Sequence, residues 1–294
     1  MSLQHTSPPL SAWREFFEKM LLILTGLSFI ASVSFFIAYN WNELGRFFKF
    51  ILVEGLMLIS IGVSVYTKNI WVSRISLFVA SFLVGIFMAL FGQVYQTQAD
   101  SWELFFYWAL LILPWVFVSR FIASWLLWVG LIEIAIILYE PHSFMFFRGL
   151  NLFWKLFLFN TLFLFVWEYI SKKLDIKYAF VVHKLLLSFS SFSITVLLLS
   201  HEVFIYTFVW VIWLIFIYYI YRLLSMDIYA LSVMSLSIVV GTDILFFRIF
   251  NATNFDNFIF IVLMLGMLTL FLGGYLSKWL KRLAKEEDSY ATKE

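Results

Sequence analysis

The stretch that decides the fold is residues 75–102, ISLFVASFLVGIFMALFGQVYQTQADSW. Residues 75–92 are almost wholly apolar and are about as long as the helix that crosses roughly 30 Å of hydrocarbon. The sequence changes over Phe91–Trp102 into a dense run of amide, phenol and carboxylate groups. Apolar runs of this length recur along most of the chain. The sequence therefore predicts membrane-spanning helices that are joined by short polar turns.

The composition supports the same class. Of the 294 residues, 63% are hydrophobic and 13% are charged, against about 45–50% and about 25% in a soluble domain. Too few polar residues are present to cover the apolar ones in water. We therefore predict an all-α fold, a polytopic integral membrane helix bundle. The absence of cysteine excludes thiol chemistry and cysteine-held metal centres.

Ten transmembrane helices are predicted. They lie near residues 20–39, 47–66, 75–96, 104–119, 121–140, 151–170, 179–200, 203–221, 228–247 and 257–277. The fourth and fifth spans are nearly continuous, and their division rests on Ser119 and Arg120. With both termini in the cytoplasm, most Lys and Arg residues lie on the cytoplasmic side, as the positive-inside bias predicts.

The predicted organisation has four parts. Residues 1–19 form a cytoplasmic lead, in which Trp13, Phe16, Phe17 and Met20 have the spacing of an amphipathic surface helix. The same residues could equally be the wetted start of the first span. Residues 20–120 contain four spans and residues 121–277 contain six more. Residues 278–294 form a cytoplasmic tail of basic and acidic residues, whose first part suits the surface of anionic lipid.

Polar motifs at the ends of the first spans carry a family resemblance. Asn40-Trp41, then Gly92-Gln93-Val94-Tyr95, then Asp100-Ser101-Trp102 and Leu113-Pro114 follow one another. Over roughly residues 20–120 the chain resembles the bacterial predicted-membrane-protein family catalogued as domain of unknown function 2157. The resemblance implies a multi-pass protein of the bacterial cytoplasmic (inner) membrane, without an established activity. We expect Asn40, Trp41, Asp100 and Trp102 to form a structural polar motif.

Ionisable side chains within spans are costly and need partners or water. The predicted topology places several polar residues in the outer half of the membrane. These residues are Glu54, Gln93, Tyr95, Gln96, Glu133 and Asp243. Together they would form an outward-facing cleft for a cation, a proton or a small polar solute. The alternative is that Glu54 and Glu133 pair with Lys49 and Lys155 and lock helices together.

Two further patterns predict helix contacts. Lys184, Ser188, Ser191 and Thr195 lie on one helical face, which we expect to point into the bundle. The neighbouring His183 fits a satisfied or interfacial histidine better than a metal ligand. Small residues predict close helix approach, and they are Ser81, Gly85 and Ala89 in the third span, Gly55 and Gly62 in the second, and Gly266 and Gly273 in the tenth.

The sequence contains no phosphate-binding loop, no His-Glu-x-x-His motif and no Gly-x-Ser-x-Gly motif. We predict no catalytic residue, no metal and no cofactor. The first hypothesis is a non-enzymatic scaffold or accessory subunit. The alternatives are a secondary transporter or channel, whose interrupted helices would centre on Pro114 and Gly241, and a membrane-embedded enzyme acting on lipid. The expected partners are the lipid bilayer and other membrane subunits or further copies of the chain, and not nucleic acid.

Overall fold

A computed structural model describes residues 10–96, 100–139, 152–252 and 258–291. All regular secondary structure in these ranges is helical. The helices are α1 (Leu10–Tyr39), α2 (Arg46–Tyr66), α3 (Ile70–Tyr95), α4 (Ser101–Ser119), α5 (Ile122–Leu138), α6 (Leu152–Lys173), α7 (Phe180–Leu197), α8 (Val203–Tyr218), α9 (Ile228–Ala252) and α10 (Phe258–Ala291), with a π-helical segment (Tyr219–Leu224) after α8.

Each of the ten predicted spans corresponds to one of these helices, which confirms the prediction of a polytopic all-α bundle. α1 begins well before its predicted span, and α10 ends well after its own. Within the described ranges, nine helices are long and apolar enough to cross a membrane. The tenth, α5, has 17 residues. At 1.5 Å per residue its length is about 25 Å, slightly short of the hydrocarbon thickness.

Local chemistry fixes the helix ends. Asn69 begins α3, because its side-chain oxygen accepts the backbone N–H of Trp71 at 2.9 Å. Asp227 begins α9 in the same way, through the N–H of Tyr229 at 2.8 Å. Arg120 adopts the left-handed conformation, with φ of 47°, and ends α4. The predicted division of the fourth and fifth spans at Ser119 and Arg120 is therefore confirmed.

The N-terminal lead and the first span form one helix. α1 runs without interruption from Leu10 to Tyr39. The rings of Trp13, Phe16 and Phe17 pack against one another on its exposed face. The aromatic residues of the lead are thus part of the same helix as the first membrane span.

The chain divides into two compact units. The first comprises α1 to α5 with residues 174–178, and the second comprises α6 to α10. The boundary between the units follows α5, whereas the division predicted from the sequence, between a four-span and a six-span region, follows residue 120.

In the first unit α3 is central, and α1, α2 and α4 each pack against it. The small-residue series on α3 accommodates an aromatic ring from α4. Trp108 donates its indole N–H to the carbonyl oxygen of Ser81 at 2.7 Å. A Cβ atom at Gly85 would lie 2.4 Å from the Trp108 ring. The small residues Ser81 and Gly85 do face a neighbouring helix, but the space they leave holds an indole ring and not the neighbouring backbone that the sequence predicted.

The second unit contains the same arrangement between α8 and α9. Trp210 donates its indole N–H to the Ser237 hydroxyl at 2.9 Å. A Cβ atom at Gly241 would lie 2.5 Å from the Trp210 ring. Gly241 therefore provides space for a ring and does not interrupt α9. Pro114 likewise lies inside α4, which continues to Ser119.

Four other glycines do not behave as predicted. Among the described residues, no atom of another helix lies within 4 Å of a Cβ built at Gly55, Gly62, Gly266 or Gly273. The prediction of close helix packing at these positions is wrong for contacts within the described chain. These glycines leave the outer faces of α2 and α10 open.

Candidate functional site

The Asn40-Trp41 motif organises the junction between α1 and α2. Asn40 donates both its backbone N–H and its side-chain N–H to the Phe36 carbonyl at the end of α1, at 3.1 Å and 2.8 Å. The ammonium of Lys49 lies 3.6 Å from the centroid of the Trp41 ring. Lys49 is only 4% exposed, so this cation–π contact replaces much of its lost hydration.

Lys49 therefore makes a different contact from the one considered in the sequence analysis. Within the described residues it contacts Trp41 and forms no ion pair with Glu54. Glu54 lies exposed on α2. An aromatic ring of the α1–α2 turn, and not the Glu54 carboxylate, therefore lies against the Lys49 ammonium.

The polar end of α3 lies beside α2. The Tyr95 ring stacks on Phe50 of α2, with centroids 6.0 Å apart. Phe50 and Glu54 are four residues apart and share a face of α2, so Tyr95 lies on the face that carries Glu54. Gln93 and Gln96 are exposed, and Gln96 ends α3 in the left-handed conformation. Tyr95 thus links the last turn of α3 to α2.

The Asp100-Ser101-Trp102 motif begins α4. The indole N–H of Trp102 points to the Asp100 carboxylate at 3.4 Å, and its ring contacts Tyr139 edge-on at 5.3 Å. The motif therefore joins the start of α4 to the residue that follows α5. Glu133 lies partly buried on α5, within the same unit.

The sixth predicted cleft residue, Asp243, belongs to the second unit, whereas the other five belong to the first. Asp243 accepts a hydrogen bond from the Thr269 hydroxyl of α10 at 2.7 Å. Its other carboxylate oxygen is enclosed and has no hydrogen-bond partner among the described residues. The pair joins α9 to α10 within the apolar part of the span.

The hydroxyl line of α7 points into the second unit, as predicted. Ser188 hydrogen-bonds the Tyr229 hydroxyl at 2.8 Å, and Ser191 accepts the indole N–H of Trp213 at 3.0 Å. Thr195 hydrogen-bonds the Ser237 hydroxyl at 2.6 Å. Each hydroxyl therefore ties α7 to α8 or α9, and the polar groups satisfy one another inside the bundle.

A carboxylate, an imidazole and a phenol meet at one end of the second unit. The Glu168 carboxylate of α6 lies 3.6 Å from Nδ1 of His183, and Nε2 of His183 lies 2.8 Å from the Tyr221 hydroxyl. Glu168 also pairs with Lys172 at 2.7 Å. Tyr221 lies in the π-helical segment and is 7% exposed. When Nδ1 carries the imidazole proton, His183 donates toward Glu168 and accepts from Tyr221.

The sequence predicted a satisfied or interfacial histidine at His183, but no sequence pattern identified its partners. These partners come from two separate helical segments, α6 and the π-helical segment, and share no sequence spacing with His183. Within the described residues, no three His, Asp or Glu side chains are placed to hold a metal ion.

A cleft of about 220 Å³ lies between α6 and α8. Its lining is apolar apart from one threonine, and it consists of Phe157, Thr161, Phe165, Val209, Ile212, Trp213 and Phe216.

The fold and these contacts define the class: a multi-pass α-helical membrane protein whose interior polar groups join neighbouring helices. Residues 5–139 match the model of the family described as "Predicted membrane protein (DUF2157)". The match confirms the predicted resemblance and extends it from the first four helices through α5. Neither the curated proteins nor the solved structures compared with the chain gave a significant match.

Proposed function

We propose that this protein is a non-enzymatic scaffold or accessory subunit of an assembly in the bacterial cytoplasmic membrane. The observation that carries the proposal is the use of polar side chains in the second unit. Ser188, Ser191 and Thr195 bond partners on neighbouring helices and so stabilise the bundle. Their hydrogen-bonding capacity is directed to helix contacts, which suits a rigid membrane body. The bacterial location rests on the family resemblance.

The outer face of α10 supports a role in assembly. Within the second unit α10 packs against α9, and the opposite side chains are turned outward. Leu270 is 78% exposed and Phe271 is 72% exposed. The open glycines Gly266 and Gly273 give the same helix a surface that another transmembrane helix could approach closely.

Site-specific photo-cross-linking in intact membranes tests the proposal. Leu263, Met267 and Leu270 share one face of α10 and are each more than half exposed. We expect one membrane protein to cross-link from all three positions and to copurify at a fixed ratio. Phe35, which is 75% exposed on α1, is the matched control. Lipid adducts alone at every α10 position would argue against an accessory subunit.

A second candidate is a transporter, and Asp243 is the observation that favours it. A carboxylate in a span costs about 2.5–3.5 kcal/mol on insertion scales unless it is protonated, paired or hydrated. Thr269 satisfies one oxygen and leaves the other available for a proton or a small cation. The residues of the predicted cleft that belong to the first unit are further candidates for binding a proton or a small cation. These residues are Glu54, Gln93, Tyr95, Gln96 and Glu133.

Proteoliposome flux separates the two candidates. A transporter predicts proton-coupled or cation flux that Asp243→Asn abolishes while the melting temperature is retained. The double variant Glu54→Gln with Glu133→Gln tests the first unit in the same assay. A scaffold predicts no solute flux by the unmodified protein, together with a lower melting temperature for variants that remove helix-joining contacts.

A further inference from the structure

The last turns of α10 carry a row of cations. Lys278, Lys281, Arg282 and Lys285 follow at i, i+3, i+4 and i+7, and therefore share one helical face. All four side chains are exposed. None of them forms an ion pair with a residue that the structure describes. We call these four residues the basic face.

An adjacent side of the same turns is held in place. Leu283 is 2% exposed, and the Trp279 ring stacks on Tyr218 with centroids 6.5 Å apart. Glu286 forms an ion pair with Arg222 of the π-helical segment at 3.1 Å. These contacts fix the rotation of α10 about its axis. The basic face is consequently kept pointing outward.

The position of the basic face along α10 matches the headgroup layer. Residues 259–277 contain no charged side chain and make about 28 Å of helix, close to the roughly 30 Å of hydrocarbon. Lys278 is thus the first residue beyond the apolar segment. The distance from Lys278 to Lys285 is about 10 Å along the axis, somewhat more than the roughly 5–8 Å of one headgroup layer.

We propose that the basic face binds the phosphate groups of anionic lipid headgroups in the leaflet at this end of α10. The Lys stems can lie along the acyl chains while the ammonium groups reach the phosphates. The Arg282 guanidinium offers two parallel donors to one phosphate. A lipid fits better than a soluble polyanion because the face directly adjoins the apolar segment. This inference goes beyond the scaffold proposal and does not depend on it.

Lipid retention by the purified full chain in neutral detergent tests the proposal. Native mass spectrometry and thermal melting are recorded with added phosphatidylglycerol or phosphatidylcholine at low and high salt. Surface attraction contributes about fivefold in affinity for each cation. We expect phosphatidylglycerol to bind at least about tenfold more tightly than phosphatidylcholine, and the preference to fall with salt.

Three variants make the test specific. Replacing all four cations by Gln (K278Q, K281Q, R282Q and K285Q) is expected to remove most of the preference. The charge-retaining set K278R, K281R, R282K and K285R is expected to keep it. The pair K172Q and K173Q removes exposed cations at the end of α6 and is expected to keep it too. If the fourfold Gln variant does not fold, K281Q with R282Q replaces it, with an expected loss of about tenfold or more.

Three results would overturn the proposal. The first is equal binding of the two lipids by the unmodified protein, and the second is an unchanged preference in a folded Gln variant. The third is binding of a heparin probe to the basic face in mixed vesicles with an affinity that added phosphatidylglycerol does not reduce. That result would assign the face to a soluble polyanion.

Discussion

The contact between Trp108 and Gly85 gives the sharpest test of the fold, through the substitution Gly85→Ala. The new Cβ would lie 2.4 Å from the indole ring, well inside van der Waals contact. The ring cannot shift freely, because its N–H is bonded to Ser81 and Phe82 contacts it edge-on at 5.9 Å. Overpacking of this kind costs about 1–3 kcal/mol, and a weakened hydrogen bond adds about 1 kcal/mol.

Alanine also favours a helix over glycine by about 1 kcal/mol, which offsets part of this cost. We therefore expect Gly85→Ala to destabilise the protein by about 2 kcal/mol. At roughly 2–4 °C per kcal/mol, the melting temperature in detergent should fall by about 4–8 °C. Gly62→Ala is the matched control, because the space around Gly62 is open. It should leave the melting temperature unchanged or raise it.

A double variant identifies the cause. Trp108→Leu removes the ring that meets the new Cβ, so Gly85→Ala should cost little in that background. The expected coupling between the two positions is about 1–2 kcal/mol, within the usual range for residues in contact. Equal stability of the Gly85→Ala and Gly62→Ala proteins would refute the placement of the indole against Gly85. A cost that persists without Trp108 would place the clash elsewhere.

Three further substitutions test individual contacts by thermal melting. Trp41→Leu removes the ring beneath Lys49 and should lower the free energy of unfolding by about 1–2 kcal/mol. Trp41→Phe should retain part of the contact and lose less stability. Equal losses in the two variants would contradict a cation–π interaction. Ser237→Ala removes the hydrogen bonds to Thr195 and Trp210 and should lower the free energy of unfolding by about 1 kcal/mol. Ser32→Ala is the control, because it removes only a hydrogen bond within its own helix, and it should lower the free energy of unfolding by less. Tyr221→Phe removes the hydroxyl beside His183 and should lower the free energy of unfolding by about 1 kcal/mol. It should also shift the signals of the His183 ring in NMR spectra. Unchanged signals would contradict the hydrogen bond between the two side chains.

Helix positions were predictable from the sequence because length and apolarity are local properties. The spans near residues 47–66 and 104–119 agree closely with α2 and α4. The division at Arg120 was predictable from charge, because a positive residue between two apolar runs favours a turn on the cytoplasmic side. The direction of the α7 hydroxyl line was predictable as well, since its polar side chains stand out against an otherwise apolar helix.

The contacts between helices were not predictable, for a physical reason. In a soluble helix the apolar face identifies the core, but lipid-facing and buried faces are both apolar in a membrane helix. Gly62 and Gly85 thus look alike in the sequence, yet only Gly85 meets a neighbouring ring. Likewise the sequence suggested a carboxylate as the partner of Lys49, whereas its contact with Trp41 depends on the turn after α1. The partners of His183 come from α6 and the π-helical segment, which no local pattern connects.

The two units use one packing device, and this device bears on the proposed role. On α3 and on α9 a serine precedes a glycine by four residues, and a tryptophan of an adjacent helix fills the space above the glycine. Lipid offers no hydrophobic force to bring helices together, so association depends on close packing and hydrogen bonds. An indole supplies a large contact area and a donor in one rigid group. Helices joined in this way resist sliding, because sliding would both overlap the ring with a neighbouring side chain and leave its N–H unbonded. Each junction lies within one unit and favours a single arrangement there, which suits the rigid body expected of the proposed scaffold.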